Sequence, residues 1–391
     1  MRGGCSSHRV GVALACMLGL GASALGAAPI LPTSDDAVIE VLPALTLSRI
    51  EERQLRRQLA LQPHDAPLAL AAAERYLAQA RTAGDPRFAG MALAAISAWT
   101  DPATMPGEIL LMRATLEQYL HEFDASAASL QLLLARPRQR VAAQAWLTLA
   151  TVRRAQGRYA DSDAACHELA RFSAALHANA CLAENAALRG EFNHARNLFN
   201  GLLSASRGAA TTQAWLATSL AELEQRAGNN DAAERAFRSA LALDADPYTT
   251  LSYADFLIAQ RRPAQALALL NAQTRTDAVL LRLAIAGTQA HAASAAADVA
   301  EMRARIALAN ERPNAKIFHG REQAMFALAI EGDAVKALDL ARGNLAAQRE
   351  PLDLLVFAQA AQASGRPEAQ REARRMTSEL GLVDQRIERL L

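Results

Sequence analysis

Aromatic residues make up only 5% of this 391-residue chain, and lysine is almost absent: Lys316 and Lys336 are the two lysines, and arginine supplies the rest of the positive charge. Runs of β-branched residues are nearly missing as well, which argues against a sheet. With so few large rings, no single bulky core could be built along this length, yet half the residues are apolar and alanine is everywhere. Alanine combines high helix propensity with close helix approach, so the expectation is an all-α protein of tightly packed helices. Four cysteines exclude a disulfide-dense scaffold. The formal net charge of +1, with no dense basic block, excludes a polyanion-binding footprint, and no nucleic-acid partner is expected. Enzyme signatures are missing too. Gly-x-Ser-x-Gly, a phosphate-cradling glycine loop, His-Glu-x-x-His and Cys-x-x-Cys do not occur, so no catalytic residue and no cofactor are assigned.

The one long apolar run lies at the start. Arg2 and Arg9 precede an apolar stretch from Val10 to Leu20, followed by the small-residue cleavage patterns Ala22-Ser23-Ala24 and Leu25-Gly26-Ala27. Residues 1–28 therefore read as an export signal, which places the mature chain in the periplasm. The alternative is an uncleaved anchor that holds the protein at the membrane, facing the periplasm. A lipid-attachment reading at Cys16 fits less well, because the leucine of Ala13-Leu14-Ala15-Cys16 is out of place and the apolar run continues. Removing Arg2 and Arg9 lowers the net charge from +1 to about −1. Residues 29–44 form a proline-bracketed extended lead, and 45–391 the structured body.

That body repeats. The stretch from Ala145 to Leu169 is two short amphipathic helices around Gly157, with Trp146, Leu149 and Ala150 on one face. Gly157 recurs as Gly190, 33 residues on, then as Gly228 after 38, and the pair Gly332 and Gly365 repeats the interval of 33. Arg261 holds the position 33 residues after Gly228, and His121-Glu122-Phe123 lies 36 before Gly157 to Tyr159. The loop from Ser204 to Gly208 accounts for the long interval. A helix pair this short cannot bury its apolar face alone, so a period of about 34 residues marks a helical solenoid.

Residues at fixed offsets carry a family resemblance. Trp146, Leu149-Ala150, Gly157 and Tyr159 fall in one unit; Leu182-Ala183, Gly190, Phe192, Ala195 and Phe199 fall in the next. Trp215, Leu220-Ala221, Gly228, Ala233, Phe237, Ala240 and Pro247 make a third, and Tyr253-Ala254 with Ala266 a fourth. This pattern resembles the tetratricopeptide repeat (TPR) over residues 66 to 380. Matches are best at 108–271 and 317–380, several units lack the closing proline, and 277–316 matches poorly. The resemblance implies a right-handed superhelical solenoid of antiparallel helix pairs whose first helices line a concave groove for a protein or peptide. Carried over by position, Gln144, Thr151, Arg154, His177, Glu184, Trp215, Glu222, Arg226, Tyr248 and Asp255 face that groove. The arginine–asparagine clamp that some members use for a terminal carboxylate is not reproduced, since Arg154 and Arg226 lack the asparagines. Trp215 reads as an interface anchor or as packing between neighbouring repeats.

Cys166 and Cys181 flank an inter-repeat turn at similar distances, which leaves open a disulfide or two small buried thiols. His167, His177 and His194 share this region, and His177 with Cys181 has the i, i+4 spacing of a metal pair, although no second pair completes it. Glu222 and Glu224 read as solvated carboxylates, as do Asp35 and Asp36. At the end, Leu382 to Leu391 reads as a terminal helix with Val383, Ile387 and Leu390 inward and Asp384, Arg386, Glu388 and Arg389 in solvent. The reading reached is an exported, non-catalytic scaffold that binds a protein or peptide of the cell envelope. The rival is an enzyme or metal-binding accessory chain with a site at 166–194 or 277–316.

Overall fold

A computed structural model describes residues 47–137, 140–172, 174–311 and 320–391. The candidate signal at 1–28, the lead segment 29–44, and Asp35 and Asp36 lie outside the described residues, as do residues 312–316 of the poorly matching segment 277–316. The chain divides into two units, 1–54 and 55–391. Within the first, the described part is the opening of helix α1 (Leu47–Leu61), where Ile50 is exposed.

In the second unit, no strand occurs among the described residues, and the helices form nine consecutive pairs. They are α2 (Ala66–Ala83) with α3 (Pro86–Ala95), α4 (Gly107–Tyr119) with α5 (Phe123–Leu134), and α6 (Ala142–Ala155) with α7 (Tyr159–Leu169). Then come α8 (Ala175–Leu188) with α9 (Phe192–Ala205), α10 (Ala210–Arg226) with α11 (Asn230–Leu243), and α12 (Pro247–Ala259) with α13 (Pro263–Leu270). The last three are α14 (Asp277–Ala290) with α15 (Ala295–Asn310), α16 (Gly320–Phe326) with α17 (Ala334–Asn344), and α18 (Pro351–Ala363) with α19 (Pro367–Leu380). A π-helical turn, Ala327–Glu331, extends α16, and the short α20 (Gln385–Glu388) ends the chain. The fold is an all-α solenoid. No described helix is long and apolar enough to cross a membrane.

One turn geometry generates all nine pairs. A residue with positive φ ends the first helix of each: Gly84, His121, Gly157, Gly190, Gly228, Arg261, His291, Gly332 and Gly365. In most of them the next N–H reaches back to a carbonyl five residues earlier, as in Arg158 to Arg153 (2.8 Å), Glu191 to Ala186 (3.0 Å) and Asn229 to Glu224 (2.8 Å). This is the Schellman closure, which satisfies otherwise orphaned carbonyls. His121, Arg261 and His291 make the same bond without glycine (Glu122 to Glu117, Arg262 to Leu257, Ala292 to Gly287) at φ 61, 58 and 52. The poorly matching segment 277–310 is therefore a regular pair. Its turn residue is His291, and Gly287 lets Ala295 approach so closely that an added Cβ would lie 3.3 Å from the Ala295 side chain. In the first pair α3 begins at Pro86, directly after the Gly84 turn, and stops at Ala95.

Small residues let the helices meet. Ser126 Oγ donates to Ala114 O (2.7 Å), and one repeat later Ser162 Oγ donates to Ala150 O (2.8 Å), so the same bond clamps successive pairs. Much of the arginine then joins pair to pair. Glu234 accepts both Arg262 Nη atoms (2.6 and 2.7 Å), Asp255 accepts Arg282 Nε and Nη2 (2.9 and 2.7 Å), and Arg342 reaches Glu372. Flat, forked guanidinium groups suit such two-point bridges better than lysine does. The arginine bias therefore has a structural use that codon composition alone would not supply.

Distant pairs also touch. Thr276, which caps α14, packs on the Gly84 turn, where a Cβ would lie 2.8 Å from the Thr276 Cβ. Arg349 N–H donates to Ala155 O (2.7 Å), and Val383 N–H donates to Leu188 O (2.9 Å). The turns at Gly157, Gly190 and Gly228 form one edge, and Leu380, Val383 and Arg389 sit against them in that order. Tyr159 and Leu188 accordingly belong to the same buried cluster as Leu354, Leu382 and Ile387. The expected terminal helix with Asp384 in solvent is corrected here. The helix spans only Gln385–Glu388, and Asp384 is 1% exposed, capping that helix while its carboxylate accepts from Arg386. The segment lies on an earlier surface of the same solenoid, which covers Asp384 and half-buries Arg386, while Glu388 and Arg389 stay exposed as expected.

Gly190 (φ 83) and Gly365 (φ 65) separate two costs, because only Gly190 is crowded: its Cβ would meet Val383 at 2.9 Å, while that of Gly365 meets nothing within 4 Å. Each Gly→Ala change carries the left-handed penalty of about 1–2 kcal/mol. Gly190→Ala is expected to cost about 1 kcal/mol more in urea unfolding, and Val383→Ala in that background to restore part of it. Arg262 and its bonds hold the Glu234 carboxyl down to about 2, from an ordinary 4.5. A depressed carboxyl stabilises fully above its unfolded value, and that contribution disappears as pH falls from 4.5 toward 2. Glu234→Gln should therefore flatten the stability profile in that window, as read by thermal melts at stepped pH.

Candidate partner-binding site

The first helices of pairs three, four and five present a pocket of about 460 Å³. One turn of α6 brings Thr151 and Arg154, α8 brings His177, Cys181 and Glu184 at i, i+4 and i+7, and α10 brings Trp215. Arg154 Nη1 donates to Glu184 Oε2 across neighbouring helices, and Ser219 Oγ donates to the other Glu184 oxygen (2.9 Å). His177 stacks on Trp215 with ring centroids 5.7 Å apart and an interplanar angle of 23°. Trp215 is half-buried: it packs against the cluster of Phe199 and Leu216, as the packing reading has it, and it also lines the pocket. Such a site offers an aromatic wall, a fixed ion pair and threonine hydroxyls, a combination suited to an amphipathic side chain of a peptide.

Glu222 and Tyr248 make a second station. Tyr248 Oη donates to Glu222 Oε1 (2.6 Å), while Ser252 Oγ lies at 3.4 Å from the same oxygen. Burial pushes the Glu222 carboxyl above its usual range, with Glu184 and Glu350 adding to the push and Arg226 opposing it. The charge of Glu222, then burial, holds the Tyr248 phenol well above its ordinary value. Tyr248 nonetheless presents 62% of its surface to solvent.

The remaining expected groove residues are placed differently. Asp255 is half-buried and spent on Arg282, itself only 5% exposed, so the pair joins α12 to α14. Arg226 is 7% exposed, and burial lowers its basicity. The reading of Glu224 as a solvated carboxylate is corrected: it is buried and accepts from Arg196 Nε and Nη2 and from Asn229 Nδ2 (2.7 Å), because its face of α10 meets α9. Glu222, one face over, is half-buried.

Cys166 and Cys181 are placed as a disulfide pair joining α7 to α8, with Cα atoms 6.0 Å apart. That leaves Cys181 no thiolate for a metal shared with His177. Among the described residues, no group of three or more His, Cys, Asp and Glu side chains could hold a metal ion. Leu147, Thr211 and Thr212, which also line the pocket, were missed in the sequence, although the i+4 spacing of Leu147 to Thr151 and the i+4 and i+3 spacings of Thr211 and Thr212 to Trp215 would have found them.

A larger cavity of about 570 Å³ had no sequence signal. The turns of the first pairs supply His121 and Gln118, the start of α14 supplies Asp277, and Arg321, Gln348 and Glu350 close it. Arg321 donates to Asp353 (2.6 Å) and Glu350 (2.7 Å), and Gln348 donates to Glu350 (2.6 Å). Burial, followed by the Arg321 charge, lowers the His121 imidazole, so that side of the cavity carries a neutral ring at neutral pH.

No family model matches this chain, and no curated protein matches it in sequence. Similar solved structures include a tetratricopeptide repeat protein from Parabacteroides merdae, at 15% identity and a TM-score of 0.38, covering 65% of this chain and 98% of that one. A Rap protein complexed with competence and sporulation factor covers 88% and 94% at 12% identity and a TM-score of 0.46. The TPR domain of P58(IPK) covers 84% and 92% at 13% identity and a TM-score of 0.20. What defines the class is the repeated turn itself: nine helix pairs with one αL residue each, among the described residues, make this chain an α-solenoid.

The bridge from Cys166 to Cys181 spans a sequence separation of 15. On the chain-entropy account a loop of that size is worth about 3 kcal/mol. Reduction, or a Cys166→Ala, Cys181→Ala double variant, is expected to lower the urea midpoint accordingly, and dithiothreitol should then have no effect on the variant.

Proposed function

We propose that this chain is an exported, non-catalytic scaffold that binds a protein or peptide partner of the cell envelope through its inner groove. The observation that carries the reading is the convergence of Arg154, His177, Glu184 and Trp215, from three successive inner helices, on one pocket of about 460 Å³. The pocket is a recognition surface with its polar groups already oriented, and preorganised groups bind at a lower entropic cost. Glu222 and Tyr248 extend it along the solenoid. Export is supported by the charged, apolar and small-residue order of residues 1–28, and by a cysteine pair that an oxidising compartment would keep bonded. Retention of residues 1–28 would tether the same groove to the membrane, and the intact mass of the native protein distinguishes the two forms.

A crosslinking pull-down from the native envelope tests the groove. The mature wild type is compared with a Trp215→Ala, His177→Ala variant whose circular dichroism matches it. The wild type should retain a specific partner and the variant should lose it, with affinity falling about tenfold or more, as truncation of an aromatic anchor brings. Equal capture by both would reject the pocket, and absence of any specific partner would reject the scaffold reading.

A further inference from the structure

The cavity of about 570 Å³ plays no part in the groove reading. It has the size of a small-molecule site, which runs to about 300–1,000 Å³. Its walls come from parts of the chain far apart in sequence: the turns after α2 and α4, the end of α6, the starts of α12 and α14, and residues 344–350. Two contacts hold those walls together, Thr276 on the Gly84 turn and Arg349 N–H on Ala155 O (2.7 Å). Helix ends and turns therefore frame the space before any ligand arrives, the condition for a preorganised site.

Its available polar groups are neutral. Gln118 and Gln273 line the cavity half-buried, and their side-chain amides bond no other described group. A glutamine amide both donates and accepts. Thr115 and Thr151 are half-buried as well, and their hydroxyls donate to Leu111 O (2.9 Å) and Leu147 O (3.0 Å) one helical turn back. What those hydroxyls keep for a ligand is acceptor capacity. The charges are largely spent: Arg321 bonds Asp353 (2.6 Å) and Glu350 (2.7 Å), and Asp277 accepts from Arg305 (2.7 Å). Glu322 adjoins Arg321 in the chain, and Arg81 is exposed. An aromatic corner completes the wall, with the His121 and Phe123 ring centroids 5.6 Å apart at 46°. His121 is the turn residue of its pair at φ 61, so left-handed strain is accepted where an imidazole replaces a glycine at this wall. Leu251 and Val279 add aliphatic surface. Neutral donors and acceptors beside aromatic and aliphatic surface match a molecule with hydroxyls along its edge and C–H groups on its faces. An ionic ligand would find most of the counter-charges taken.

We propose that this cavity binds a small neutral saccharide, with its hydroxyls on Gln118, Gln273, Thr115 and Thr151 and its C–H faces toward the His121 and Phe123 corner. The cavity has Thr151 in common with the groove pocket, but the assignment does not depend on what the groove binds.

Saturation-transfer difference NMR on the full chain tests it, with maltose, N,N′-diacetylchitobiose, spermidine and alanylalanine as probes. A saccharide should give a saturable signal, and a Gln118→Leu, Gln273→Leu variant should bind it about tenfold more weakly, the scale of two lost neutral hydrogen bonds. Neither amide holds another described group, so this variant should melt at the wild-type temperature. A lower melting point would show the amides bonded within the chain and overturn the assignment. Thr115→Val, the same shape without the hydroxyl, gives a second reading and should also weaken binding. Loss of a spermidine or alanylalanine signal in the variants, in place of a saccharide signal, would make this a cation or peptide site and overturn the proposal. Equal affinity in wild type and variants, or no signal from any probe, would refute it as well.

Discussion

Every helix pair in this solenoid depends on one residue with positive φ. That residue reverses the chain, and in most pairs a closing bond five residues back satisfies a carbonyl at the helix end, while after Gly332 the bond from Asp333 reaches Ala327, six back. Because a positive-φ reversal recurs in all nine pairs, small residues suffice to fill the seams. A chain with 5% aromatics can hold nine pairs together for this reason. His121, Arg261 and His291 show that the conformation is required even where glycine is absent, the left-handed strain at those positions being offset by the same closing bond.

Arginine completes what the turn begins. Bridges such as Arg262 to Glu234 and Arg282 to Asp255 link one pair to the next through two parallel bonds. They restrain how neighbouring pairs rotate against each other, which in a repeat protein governs curvature. Arg154 and Glu184 belong to the same ladder but line the pocket of about 460 Å³.

The contacts between distant pairs give the solenoid a second kind of order. Nearest-neighbour stacking alone would leave the turn edges free. Instead Gly84 meets Thr276, and the edge at Gly157, Gly190 and Gly228 is covered by the end of the chain. These closures wall the 570 Å³ cavity and bury Tyr159 and Arg226.

The fold class was legible because its signals are local. A glycine every 33 to 38 residues, alanine-rich apolar faces of period 3.6 and the missing β-branched runs all act within one pair and its neighbours, and they specify the repeat before any distant part is considered. The pocket was legible in part for the same reason, since His177 and Trp215 each stand 13 residues before their turn glycine, Gly190 and Gly228, on neighbouring inner helices. Which of the other expected residues stay available was not. Asp255 is taken by Arg282, Glu224 by Arg196, Arg226 by burial, and Asp384 by its own cap, and each outcome depends on a partner in another element. The sequence by itself determined a stack of helix pairs, because turn and helix preferences are short-range. Only the tertiary structure decided which surfaces remain open, because closing the solenoid on itself joins residues up to about two hundred positions apart whose separation follows from the summed angles of every pair between them.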